Sequence, residues 1–126
     1  NNEVLRAKLK NNSETIYAHG SVSSGSVTLN HGNGHYQTLT ITADTTLAFT
    51  NFPSGALGRI ILDITVNPTS TGILTLPSAV IKADNVTGSD GTSDQVTIGL
   101  GRALFEFMSP DGGTTVLMHQ IGKQYV

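Results

Sequence analysis

The sequence contains no cysteine and no tryptophan, and it is poor in charge. Without cysteine the chain of 126 residues can form neither disulfides nor thiolate metal sites, so packing must stabilise it. Charged residues make up 13% of the chain, against a usual fraction of about 25%. Threonine and serine are abundant. The surface must therefore be largely neutral and rich in hydroxyl groups. A net charge of −2 provides no basic surface for nucleic acid, and we predict no nucleic-acid partner.

Long apolar runs are also absent. No segment approaches the roughly 20 apolar residues that a membrane span requires, so we predict no membrane partner. The length fits a single domain with its own core. Within it we predict an N-terminal arm over residues 1–20 and a β-domain over residues 21–126.

Basic residues are concentrated at the N-terminus, where three of the seven lie within the first ten positions. Apolar residues at helical spacing stand between them, but the segment is shorter than the ~12–15 residues at which an isolated helix becomes marginal. We predict a weakly helical arm that docks on a partner, with a frayed terminus as the alternative. The candidate docking residues are Val4, Leu5, Arg6, Lys8, Leu9 and Lys10.

From Ser21 onward apolar residues alternate with polar ones, which is typical of half-buried strands. Residues 59–66 have the clearest pattern: Ile60, Leu62, Ile64 and Val66 share one face, and the opposite face, which includes Ile61, is only partly polar. Eight or nine short strands with Gly/Pro turns and no helix between them predict an all-β fold, specifically an antiparallel, jelly-roll-like β-sandwich. The candidate strands are residues 27–29, 38–42, 45–50, 59–66, 73–76, 80–82, 95–100, 103–108 and 116–121.

The segment between the last two candidate strands predicts a hairpin. Asp111, Gly112, Gly113 and Thr114 follow Ser109-Pro110, and glycine allows the positive φ that such turns require. Ser109, Asp111, Gly113 and Thr115 also match the spacing of an Asp box, with Val116 where that motif usually carries tryptophan. That match supports a structural turn.

Candidates for chemistry are weak. His31 and His35 are separated by Gly32-Asn33-Gly34, so their spacing does not place them on one face of a helix. The acidic loop 84–94 matches no ordered calcium pattern and is interpreted as a solvated turn. Asp63 and Glu106 are the only acids central in strong strands, where we expect them on the less buried face opposite the core. If Asp63 were paired with an arginine, the pair would be structural. We predict no catalytic residue, no metal, no cofactor and no enzyme.

A family resemblance appears over roughly residues 26–122. A Thr-rich strand ending Phe49-Thr50-Asn51, a turn at Phe52-Pro53-Ser54-Gly55, the segment Thr75-Leu76-Pro77 and Asp111-Gly112-Gly113-Thr114-Thr115 follow one another. This order resembles a β-domain of tailed-bacteriophage virion proteins. The chain departs from that pattern by lacking every tryptophan.

The resemblance implies a structural virion protein at the particle surface. We expect a capsid decoration (cement) protein that binds the major capsid protein or other virion proteins and stabilises the assembled head. We expect it to form a trimer joined through the sheet face that carries Ile61. The alternative is a tail-fibre tip that recognises a host glycan or protein, with the loops at residues 30–36 and 83–94 as contacts. The absence of tryptophan, which is favoured at binding hot spots, argues for decoration.

Overall fold

Ten strands make up the fold in the computed structural model, which describes residues 5–23, 25–67, 72–89 and 94–125. Among these residues, no helix is long and apolar enough to cross a membrane. The strands are β1 (Ile16–Val22), β2 (Ser26–Asn30), β3 (Tyr36–Ile41), β4 (Thr45–Thr50), β5 (Gly58–Val66), β6 (Gly72–Thr75), β7 (Val80–Lys82), β8 (Gln95–Ile98), β9 (Gly101–Ser109) and β10 (Val116–Tyr125).

Two sheets contain these strands. The larger has six strands in the order β1-β3-β5-β9-β10-β7, and the smaller has four in the order β2-β4-β6-β8. From β1 to β6 the chain alternates between the sheets, and each strand lies parallel to the strand two elements before it. The first turn of this coil is 20 residues long, because Ile16 pairs with Tyr36 and Val27 with Leu47. The remaining strands add the antiparallel pairs β5–β9, β9–β10 and β6–β8 and the parallel pair β7–β10.

The all-β class is confirmed, but the antiparallel prediction is wrong for five of the eight strand pairs among the described residues. We expected antiparallel pairing because parallel neighbours need a long crossover, which is usually a helix. Here the crossover is a strand of the opposite sheet. Alternation of apolar residues is the same in both arrangements, so the pattern alone could not distinguish them. A jelly roll consists of antiparallel strands, and the observed pairing does not support that connectivity.

One apolar core lies between the sheets. Ile60, Leu62 and Ile64 of β5 are completely buried, as is Leu74 of β6 in the smaller sheet. Phe49 and Phe107 meet across the layers with ring centroids 4.8 Å apart. The contact is close at Gly72, where an added Cβ would lie 2.4 Å from Ile41 Cδ1. Close packing between the sheets stabilises a chain that has no cysteine for a disulfide.

The N-terminal prediction needs two corrections. Residues 5–15 contain no regular secondary structure, and Arg6 and Asn11 have positive φ values of 57° and 58°, which are incompatible with a right-handed helix. In addition, β1 begins at Ile16, so the last five residues of the predicted arm 1–20 belong to a strand. The sequence pattern does not predict this strand, because it lies at the edge of the sheet and its burial does not alternate.

The hairpin between β9 and β10 is confirmed. Ser109 Oγ accepts a hydrogen bond of 2.7 Å from the Gly113 amide, and Asp111 Oδ1 accepts one of 2.8 Å from the Thr115 amide. The bond from the Thr115 backbone, with a further one that the Ser109 hydroxyl donates to Asp111 Oδ1, lowers the pKa of Asp111. Gly112 and Gly113 have φ values of 73° and 98°. All four predicted turn residues, including Thr114, therefore lie in a structural turn.

Gly113→Ala should destabilise the protein by about 1–3 kcal/mol, since alanine at this φ is strained. Space is not the cause, because an added Cβ would lie 3.6 Å from the nearest Phe52 atom, an ordinary contact. Urea unfolding would measure the loss, with exposed Thr114→Ala in the same turn as control. Equal stability of the two variants would contradict the strain argument.

Candidate functional site

The outer faces of the two sheets differ in chemistry. The outer face of the four-stranded sheet is mostly hydroxylated, with Ala48 and Ile73 as its apolar members. Its hydroxyl residues are Ser26, Thr28, Thr46, Thr50, Thr75 and Thr97. Cross-strand pairing places Ser26 beside Thr46, and Thr46 beside Thr75. Side chains of this kind remain hydrogen-bonded to water at little cost, so this surface needs no protein cover.

The outer face of the six-stranded sheet is different, and we call it the apolar face. Ile16 at one edge is 62% exposed, and Ile81 at the other is 58% exposed. Strand alternation and pairing place further aliphatic side chains between these edges. The aliphatic members are Ile16, Ile61, Ile81, Leu104, Met108, Leu117 and Ile121. Polar side chains, including Tyr36, Glu106 and His119, lie between them. Exposed aliphatic side chains that are grouped on one face are typical of an interaction site.

The first of two ion-pair clusters on the apolar face is built around Asp63. Its carboxylate is only 3% exposed, because the half-exposed Arg102 side chain lies over it. Arg102 Nε donates a 2.6 Å hydrogen bond to Asp63 Oδ1, and Tyr36 Oη donates one of 2.6 Å to Oδ2. The bonds from Arg102 dominate over burial and lower the Asp63 pKa, whereas the bond to Asp63 raises the pKa of Tyr36.

The second cluster is built around Glu106, which is 5% exposed. Arg59 Nε donates a 2.7 Å hydrogen bond to Glu106 Oε2, and His119 Nε2 lies 2.7 Å from Oε1. Burial acts to raise the pKa of Glu106, but the bonds from His119 and Arg59 outweigh it, and the pKa is lowered.

Both acids lie opposite the core, as expected, and Asp63 is paired with Arg102. At 3% and 5% exposed, the two acids are more deeply buried than the less buried face predicted for them. Each carboxylate is bound by a guanidinium of opposite charge. Neither offers the uncommitted acid or base that hydrolysis by a carboxylate pair requires.

Two shallow grooves indent the apolar face. One, of about 330 Å³, is lined by Glu14, Ile16, Tyr36, Thr38, Asp63 and Arg102. The other, of about 340 Å³, lies along β10 and β7 at the opposite edge, and we call it the edge groove. Apolar side chains including Ile81, Met108 and Leu117 line it, together with Ala83, Lys82 and His119.

The arm is the second unpartnered apolar element. Every described residue from position 5 to 15 is exposed, and Leu5 and Leu9 are 77% and 71% exposed. Arg6, Lys8 and Lys10 are exposed between and beside them. Val4 lies outside the described residues. Whether these residues dock on a partner remains a prediction.

The four histidines do not form one site. His31 and His35 do come together, with ring centroids 5.6 Å apart, through the 3-10 turn His31–Asn33 and not through a helix. His31 also contacts Phe52, and burial, together with the nearby His35, lowers the His31 pKa. His19 is hydrogen-bonded to Gln37 on β3, at a distance of 2.7 Å.

The structure places no metal-binding group in the described part of the chain, which contains no cluster of three or more suitable side chains. Asp90 of the predicted solvated loop lies outside the described residues. The loop is not wholly solvated, because the Thr87 amide donates a 2.7 Å hydrogen bond to Gln120 Oε1. Asn85 Nδ2 is likewise bonded to the Gln120 carbonyl oxygen.

Comparisons of this chain with protein-family models, with curated proteins and with solved structures gave no match. Any functional argument therefore starts from the surfaces just described.

Arg102→Met should destabilise the protein by about 1–3 kcal/mol at pH 7, because it leaves the buried Asp63 carboxylate without its principal donor. The folded-state pKa of Asp63 is lowered, so its contribution is present above the unfolded pKa of ~3.9 and is lost as the pH falls through the folded pKa. The deficit of the variant should therefore shrink in acid.

Urea unfolding at pH 7 and at lower pH would measure this change. Arg6→Met removes the same charge from the exposed arm and should alter stability by less than about 0.5 kcal/mol. A deficit that is independent of pH would show that Asp63 is not the cause.

Proposed function

We propose that this protein is a non-catalytic structural component of a phage particle, a decoration protein that self-associates and binds the assembled capsid. The observation that carries the proposal is the contrast between a hydroxylated outer face and the apolar face with its neutralised carboxylates. The order of motifs that resembles tailed-phage virion domains supports the same conclusion. The partners are further copies of this chain and the major capsid protein, at the virion surface.

The area of the apolar face is sufficient for a stable contact. Six strands about 4.8 Å apart span roughly 24–29 Å, and strands of three to ten residues extend on average for about 24 Å. The product is roughly 600–700 Å², which approaches the ~800 Å² that each partner contributes to a standard protein interface.

The charges suit contact between like copies. A face that carried unbalanced charge of one sign would repel a second copy of itself, at a cost of several kcal/mol when desolvated. Here the buried carboxylates are paired within the chain with the half-exposed Arg59 and Arg102, so the face carries no excess charge from these pairs. We propose a trimer with the three apolar faces directed toward a common axis, since a capsid provides threefold positions.

Such a protein acts by mass action. A subunit that binds the assembled shell and not its separate components shifts the equilibrium toward the shell. Many copies of a small domain can therefore stabilise a large assembly without chemistry. In our proposal the two carboxylates are structural because an arginine binds each of them.

A tail-fibre tip is the second candidate function, and one observation favours it. The groove beside Tyr36 combines an aromatic ring with the polar side chains of Glu14, Thr38 and Arg102. Aromatic rings with nearby hydrogen-bonding groups also suit a small polar ligand such as a glycan. The groove is shallow and the chain lacks tryptophan, so we rank this function second.

Ile121→Glu should abolish self-association while the subunit remains folded, because it places a charge among apolar contacts from a position already 47% exposed. Light scattering would measure the mass, and circular dichroism the fold. Thr46→Glu adds the same charge to the hydroxylated face, where it is exposed, and should leave the trimer intact. A wild-type protein that is monomeric at high concentration would refute the trimer.

Capsids stripped of their decoration should melt at a higher temperature when the wild-type protein is added back, and Ile121→Glu should have a smaller effect. Differential scanning calorimetry of the shells would measure the change. Unchanged melting, together with binding of the protein to host cells, would replace decoration with the tail-fibre function.

A further inference from the structure

The arm and the edge groove are two unpartnered apolar elements of the same chain. The arm exposes Leu5 and Leu9, four residues apart. The edge groove, of about 340 Å³, is lined mostly by apolar surface and includes the exposed Ile81 and Leu117. Burying two leucines would stabilise a complex by about 1.5–3 kcal/mol for each side chain before ordering costs.

Their positions in the six-stranded sheet are complementary. The arm precedes β1, which forms one edge of the sheet, and the edge groove lies along β10 and β7 at the other. In a ring of copies arranged head to tail, the β1 edge of one copy adjoins the β7 edge of the next. A contact between unlike surfaces of this kind closes into a ring under threefold rotation.

The length of the arm is adequate for this contact. Residues 5–15 extend to at most roughly 35 Å, whereas five strand spacings across the sheet amount to about 24 Å. An arm that leaves the edge of one subunit can therefore reach along the edge of the adjoining one.

Charge also favours this occupant. Between residues 5 and 10 the arm carries three basic side chains and no acid. Residues 16–126 carry seven acids and four basic residues, a net charge of −3. The exposed Asp84 follows the groove residue Ala83, and the basic Lys82 lines the groove itself. The attraction of the basic arm is therefore to the net negative charge of the body of another copy, and the apolar contacts select the groove.

We propose that the arm of each subunit binds in the edge groove of its neighbour, with Leu5 and Leu9 packed against Ile81, Met108 and Leu117. The occupant of the groove is a second copy of this chain. The inference rests on the self-association proposed above, and it specifies which segments join the copies.

The absence of native cysteine allows a direct test by disulfide trapping. Leu9→Cys and Ile81→Cys are made in separate chains, mixed so that subunits exchange, and oxidised. If the arm docks as proposed, the high local concentration of the two thiols will produce a disulfide-linked pair containing one chain of each variant, visible on a non-reducing gel.

Leu57→Cys is the matched control for the groove position. Leu57 and Ile81 are both 58% exposed, but Leu57 lies in the loop before β5 and outside the edge groove. Its cross-link to Leu9→Cys should form many-fold more slowly. Equal rates for the two mixtures would overturn the inference, because they would indicate random collision of the arm.

Two further measurements separate the alternatives. A chain carrying both Leu9→Cys and Ile81→Cys should form linked oligomers when oxidised. Closure into a monomer with an internal disulfide would place the arm in its own groove and overturn the inference. Light scattering of the wild-type protein reports self-association independently: a trimer without the specific cross-link refutes the arm alone, and a monomer refutes both proposals.

Discussion

The structure depends on β5, the strand at which the parallel coil meets the antiparallel hairpin. It is parallel to β3 on one side, over residues 61–66, and antiparallel to β9 on the other, over its whole length. Its inward residues Ile60, Leu62, Ile64 and Val66 are the centre of the core. Its outward residues Arg59 and Asp63 supply one partner of each ion-pair cluster on the apolar face. One strand therefore organises both the core and the candidate interface.

The ion pairs make that interface chemically consistent. A buried carboxylate without a partner costs several kcal/mol, and a pair is tolerated when hydrogen bonds satisfy both charges. Asp63 and Glu106 each accept bonds from an arginine and from one further side chain. The apolar face can thus meet another surface without exposing an unpaired charge to desolvation.

The coil of alternating strands explains why the two outer faces can differ so much. Each turn contributes one strand to each sheet, so residues that repeat at the turn length are stacked on the same face. Serine and threonine of β2, β4, β6 and β8 accumulate on one side, and aliphatic residues of the six-stranded sheet on the other. The fold thereby separates a face that suits water from a face that suits protein.

Sequence alone determined the all-β class, most of the strands, the Asp111–Thr114 turn, and the position of Asp63 and Glu106 opposite the core. These properties follow from local φ preferences and from the alternation of side chains along a single strand. Only the tertiary structure decided which strands are neighbours, how deeply the carboxylates are buried, and that β1 closes one edge of the sheet. Outside the β9–β10 hairpin, strand pairing joins residues 19 or more positions apart. Alternation has the same period in parallel and antiparallel sheets, so it carries no information about the partner.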